Sequence, residues 1–91
     1  MVINKKDNVA TTVASIRAGS TVSVEVRGRV ERIKLVSDIP VGHKFALRAM
    51  DKNTDVIKYG EPIGRTTVAI AQGEHVHVHN VVSHRARKDS I

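Results

Sequence analysis

Hydrophobic and polar positions alternate in short blocks along this chain, and turn residues separate the blocks. "TVSVEV" sets Val22, Val24 and Val26 against Thr21, Ser23 and Glu25. A period of two places those valines on one face of an extended strand. "RVERIKLV" follows an Arg-Gly-Arg turn at Gly28 and is rich in β-branched residues. "KFALRAM", "DVIKYG" and "RTTVAI" predict further short strands, and "EHVHVHNVV" the last one. The best helical candidate is "DNVATTVASI", but its threonines and valines argue against a helix. The pattern predicts an all-β fold: a small domain of short strands joined by tight turns.

The turns themselves repeat. "SIRAGSTV" has Ile16, Gly19 and Val22; "DIPVGHKF" has Ile39, Gly42 and Phe45; "AIAQGEHV" has Ile70, Gly73 and Val76. "AMDKNTDV" is a further copy, with Met50, Asn53 and Val56. Each runs apolar, three on, Gly or Asn, three on, apolar. Gly and Asn most easily take a positive φ, so each copy predicts a left-handed turn followed at once by a strand. The apolar residues on either side are the expected core anchors.

Composition narrows the possibilities. Ninety-one residues make one small domain with a modest core. A site made wholly inside it would be unusual, and one shared with a partner is easier to assemble. There is no cysteine, which excludes disulfides and thiolate metal sites and fits a cytoplasmic setting. No apolar run is long enough to span a membrane, and "MVINKKDN" lacks a signal peptide's apolar stretch. The formal charge of +6 draws anions. Nucleic acid is not the expected one, because Phe45 and Tyr59 are the only aromatics and cannot form a base-stacking platform. Residues 1–82 read as the domain and residues 83–91, "SHRARKDSI", as a polar basic tail.

The chemistry-bearing stretch is "GEHVHVHN", with His75, His77 and His79 at every second position. In a continuous strand these three share a face, with neighbouring Cα atoms about 6.5 Å apart, and Val76 and Val78 face the core. Imidazoles so spaced can converge on one metal ion, or one can bind metal while another serves the substrate. The other reading is an exposed strand on which histidine is merely polar. His43 and Lys44 follow the second turn and meet the histidines if the repeated turns gather at one end of the domain. "IKYGEPIGR" has Gly60 and Gly64, which either allow close backbone approach to a ligand or another chain or simply form a crossover loop. Lys58 and Arg65 are candidate carboxylate partners.

"DIPVGHKFAL", "VIKYGEPIGRTTVAI" and "GEHVHVHN", in this order and at this spacing, resemble the SAF-type domain of the altronate and galactarate dehydratase family. The resemblance runs from about Val9 to Val82. Asn53 departs from the glycine usual there, a change the turn tolerates. Similar small chains occur as the small subunit of (2R)-sulfolactate sulfo-lyase. The resemblance implies a β-clip fold and a much larger catalytic region, fused behind the domain or carried on a separate chain. The start at Met1 and the self-contained end favour a free small subunit over an excised N-terminal domain.

The reaction so implied is loss of water from an anionic sugar acid. A base takes the proton α to the carboxylate, the 3-hydroxyl leaves, and a 2-keto-3-deoxy acid results; in the sulfo-lyase the leaving group is sulfite. A divalent metal, iron or manganese, is implied as cofactor. His43, His77 and His79 are the candidate catalytic residues. Lys44, Lys58, Arg65 and Asn80 are the candidate substrate contacts, and His75, His77 and His79 the candidate metal ligands. A non-catalytic module that binds carbohydrate or protein, and a basic nucleic-acid binder, are the rival classes.

Overall fold

The computed structural model describes residues 4–83, which form eight strands and, among those residues, no helix. They are β1 (Val9–Thr11), β2 (Thr21–Val26), β3 (Arg29–Lys34), β4 (Lys44–Ala46), β5 (Asp55–Lys58), β6 (Glu61–Thr66), β7 (His75–Val76) and β8 (Val81–Ser83). All pairings are antiparallel, in three small sheets ordered β1-β4-β7, β2-β3 and β5-β6-β8. The all-β expectation holds. The tail falls outside the described residues except for Ser83, which closes β8.

The repeated turns organise this architecture. Gly19, Gly42 and Gly73 have φ of 89°, 80° and 83°, and Asn53 has φ of 65°. In the three glycine copies the turn closes by a backbone bond three residues apart, such as His43 N–H to the Pro40 carbonyl at 3.0 Å. A positive φ at the third turn residue is the reason Gly or Asn stands there. The apolar residues that open the copies also pair with one another. Ile16 bridges Ile39 and Met50 bridges Ile70, each pair exchanging two backbone bonds of 2.8–2.9 Å.

β4 is the middle strand of its sheet, and its alternation divides the core in two. Ala10 and Phe45 pair across β1–β4 and pack with Val24, Ile33, Leu35 and Ile39. Val9 and Ala46 pair one step along and pack with Met50, Val56, Ile70 and Val76 on the other side. Gly73 lies where a Cβ would collide with the backbone carbonyl of Lys34. Its own N–H bonds the Ala46 carbonyl at 2.8 Å, and its carbonyl accepts from Val36 at 3.0 Å. No other residue fits between those two segments.

Several predicted elements differ. "IKYGEPIGR" is not a crossover loop. It forms the β5–β6 hairpin, turning at Tyr59 and Gly60 with φ of 54° and 75°. Gly64 does make a close approach, but to the Val82 carbonyl of β8 in the same chain and not to a ligand or another chain. "RTTVAI" is strand only to Thr66, after which Thr67 to Ala69 lead to the Ile70 bridge. The histidine strand is also shorter than the alternation predicted, and that change bears on the site.

Candidate functional site

β7 ends at Val76, and residues 77–80 turn before β8 begins. The cause is Asn80. Its side-chain oxygen accepts the His77 N–H at 2.9 Å, and its amide donates to the His75 carbonyl at 2.9 Å. The His77 carbonyl accepts from the N–H groups of both Asn80 and Val81 at 3.1 Å. The expected core position of Val78 is therefore wrong: it is 82% exposed, while Val76 is buried. Strand parity does not extend past Val76, because a buried Asn recaptures the backbone.

The histidines still converge, by a different route. The second repeated turn delivers His43 to the start of β4, and the last delivers His75 to β7. In the β4–β7 ladder Lys44 pairs with Val76 and Phe45 with His75. One further step of that register sets His43 opposite His77, and their rings stack with centroids 4.0 Å apart. His43 Nδ1 lies 2.8 Å from His75 Nε2. The His79 ring tilts against that of His75 at 5.2 Å. His43 does meet the histidine stretch, but not because the turns gather: β4 and β7 are antiparallel, so the Gly42 turn lies at the His77 end of the ladder and the Gly73 turn at the Ala46 end.

One donor nitrogen from each of His43, His75 and His77 lies within 4.8 Å of the other two. His43 therefore stands where the alternating pattern had His79 in the ligand set. Neutral imidazole is an ordinary ligand for zinc, iron and manganese. Two such nitrogens bound side by side on an octahedral ion, with bonds of about 2.1 Å, stand about 3 Å apart. The His43–His75 separation suits that edge. Glu74 brings no carboxylate, because its side chain accepts the Ala71 N–H at 2.9 Å within its own turn. The three imidazoles thus suit one divalent cation and leave its remaining positions to groups from outside this set.

Electrostatics favour neutral rings. His75 titrates below its ordinary value of 6.5, first because it is partly buried and then because His79, His43 and His77 would repel its proton. His77 is also lowered from 6.5, by partial loss of water and by the charges of His43, Lys44 and His79. A ring that stays neutral keeps its lone pair for a cation.

The other candidate residues are placed as follows. Lys44 is half-buried beside His77, and both line an apolar cleft of about 300 Å³ with Val56, Ile63, Val76 and Val81. Lys58 is on the β5–β6 hairpin, its ammonium 3.4 Å over the Tyr59 ring. Arg65 pairs with Asp55 at 3.2 Å and lines a separate depression with Asn53, Thr66 and Val82. Asn80 is buried and its amide is taken up by backbone, so it positions the histidines and does not face outward. That positioning role was missed, although an Asn three residues after His77 is a signal for a side-chain-closed turn.

The chain matches the model of the altronate/galactarate dehydratase SAF domain over residues 1–84. It is 45% identical over 78 residues to altronate dehydratase of Escherichia coli (strain K12), covering 86% of this chain and 15% of that protein. Against altronate dehydratase of Bacillus subtilis (strain 168) it is 39% identical over 83 residues, again 86% of this chain and 15% of the relative. With (2R)-sulfolactate sulfo-lyase subunit alpha of Chromohalobacter salexigens it shares 41% identity over 75 residues, 80% of either chain. It therefore spans a small fraction of the dehydratases and most of the sulfo-lyase subunit.

Proposed function

The chain belongs to the altronate/galactarate dehydratase SAF-domain family, and from that premise we propose that it is the small subunit or N-terminal domain of a metal-dependent hydro-lyase acting on a sugar acid. The remainder of the enzyme, with most of the catalytic groups, is a large partner chain or a fused region. The observation that carries this reading is the convergence of His43, His75 and His77 at the β4–β7 ladder. A cytoplasmic enzyme of sugar-acid catabolism is the setting that suits it.

On this reading His43, His75 and His77 hold a divalent cation, iron or manganese, through their ring nitrogens. When bound, the cation supplies positive charge to the carboxylate or the leaving hydroxyl of the substrate. Lys44 lies beside His77 and offers its ammonium to the anionic acid. His79, exposed next to His75, is available to carry a proton at its ring. Asn80 fixes the backbone on which His75 and His77 stand. The domain supplies no group known to complete the reaction, so the chain is expected to be inactive alone.

A second reading is favoured by one observation, the near-equal length of the match to the sulfo-lyase subunit. There the same α-proton is removed and sulfite leaves in place of hydroxide.

The test is co-expression with the candidate large chain and assay of altronate, galactarate and sulfolactate, with and without iron or manganese. The expected result is dehydration of a sugar acid by the assembled pair and by neither chain alone. Sulfite release from sulfolactate moves the assignment to the second reading. An assembled pair that acts on none of the three overturns both.

A further inference from the structure

At the other end of β4 from His43 lies a second feature that the histidine site does not use. Lys5, Lys6, Arg27, Arg29 and Arg48 surround one depression with a single carboxylate, Glu31. All five cations are exposed. Among the described residues the ion pair is Arg65 with Asp55, so none of these five has an acidic partner there. Five like charges around a single carboxylate repel, and an anionic surface relieves that repulsion.

Linked to the depression through Asp7 is the hairpin tip at Tyr59. This residue is 79% exposed and has φ of 54°. A bulky residue in the left-handed region is strained, and Asn or Gly is the ordinary occupant of such a hairpin turn. Within the chain the compensation on view is the Lys58 ammonium, 3.4 Å over the ring. The tip is nevertheless held in place. The buried Asp7 carboxylate accepts the Gly60 N–H at 2.8 Å, and Arg48 donates to the Asp7 carbonyl at 3.0 Å. Residues 4–7 thus tie the tyrosine tip to the cationic depression. A strained, exposed aromatic on a fixed support that is tied to a cationic depression is the anatomy of a binding anchor.

We propose that this end docks an acidic face of the large chain, with Tyr59 as the apolar anchor and the five cations of the depression meeting carboxylates. The proposal rests on the two-chain reading above. Charge complementarity selects the occupant. A nucleic-acid strand fits less well, because one aromatic with an ammonium over its ring makes no stacking platform and the cations ring a hollow instead of tracking along a groove. The placement is also mechanically sensible. His43 and Arg48 flank β4 and are five residues apart, roughly 16 Å of extended chain. A partner gripping the Arg48 end holds the domain without occupying the histidine site, which stays open to substrate and to the catalytic groups the large chain brings.

The experiment is assembly with the co-expressed large chain, followed by titration calorimetry at low and high salt. The combined variant Lys5→Glu, Lys6→Glu, Arg29→Glu should bind at least roughly tenfold more weakly at low salt, with a flatter salt dependence. Tyr59→Asn puts a residue suited to that backbone at the tip. It should keep or raise the melting temperature yet weaken assembly by roughly tenfold or more. His77→Ala should lose activity and assemble normally. If the wild-type chain assembles and the charge and Tyr59 variants assemble as tightly, the docking surface is refuted while the two-chain reading stands. If the wild-type chain assembles with no large chain, the two-chain reading fails and the docking proposal with it. Tighter binding of a duplex oligonucleotide than of an oligoglutamate peptide overturns the choice of a protein occupant.

Discussion

His43 Nδ1 and His75 Nε2 stand 2.8 Å apart across the β4–β7 ladder, so one ring donates and the other accepts. At least one of the two must be neutral to do so. Protonating both converts the contact into repulsion. His75 and His77 are each lowered below the ordinary 6.5, chiefly by desolvation and then by neighbouring positive charge. Between the folded-state and unfolded-state values the unfolded chain binds more protons, so stability rises with pH there. The melting temperature should therefore be level above about pH 6.5 and decline as pH falls below it, levelling again once both forms are protonated. His75→Gln should flatten the decline. A wild-type profile without that acid limb contradicts the assignment.

Manganese or iron(II) titrated into the chain should bind at the histidines, read by calorimetry or, for manganese, by electron paramagnetic resonance. His43→Ala, His75→Ala and His77→Ala should each weaken binding by about tenfold or more, and His79→Ala by less. Acidification should release the ion, since protons compete for the same nitrogens. A small loss for His43→Ala and a large one for His79→Ala would return the ligand set to the three histidines of the alternating stretch.

Asn80→Ala should act on fold and site together. It leaves the His77 N–H and the His75 carbonyl without their side-chain partners. The expected cost is about 1–3 kcal/mol, seen in denaturant unfolding, with weakened metal binding although no ligand is removed. Unchanged stability would mean that the turn is held by its backbone bonds alone.

The turn positions should separate by mechanism. Gly42 has φ of 80° and open space around it, so Gly42→Val carries backbone strain of about 1–3 kcal/mol. Gly73→Val carries the same strain and also collides with the Lys34 carbonyl, and it should be the more damaging. Asn53→Gly keeps the conformation accessible and should be nearly neutral. Thermal melts of the three variants give the order, and equal values would refute it.

Val76→Asp should unfold the chain by burying a charge, whereas Val78→Asp should leave the β spectrum and melting temperature almost unchanged. Alternation alone predicts that both unfold. Circular-dichroism melts of the pair thus measure where the strand ends.

Much of the fold was legible because its rules are local. Each of the four turns carries its φ requirement in one residue, and Gly19, Gly42, Asn53 and Gly73 all show it. The apolar residues three away on each side reach the core or its margin, as Ile39, Phe45, Ile70 and Val76 illustrate. The "TVSVEV" block became β2 with its predicted bounds. The hairpin at Tyr59 and Gly60 was harder, because Tyr is a poor marker of a left-handed position and a proline, Pro62, sits within the second strand. Pro62 is accommodated because, among the described residues, β8 pairs with Gly64–Thr66 and asks no N–H of Pro62.

The sequence by itself determined the residue types of the site and the turns that deliver them: four histidines, an adjacent lysine, and glycines where the chain must reverse. Only the tertiary structure decided which of them meet. His43 and His75 are 32 positions apart, and nothing local sets their separation; the β4–β7 register does. Conversely, His79 sits two residues from His77 yet leaves the three-nitrogen set, because the buried Asn80 amide ends the strand. A period of two holds only while the ladder continues. Long-range backbone pairing, and one side chain that competes with it, fixed the geometry that composition and spacing left open.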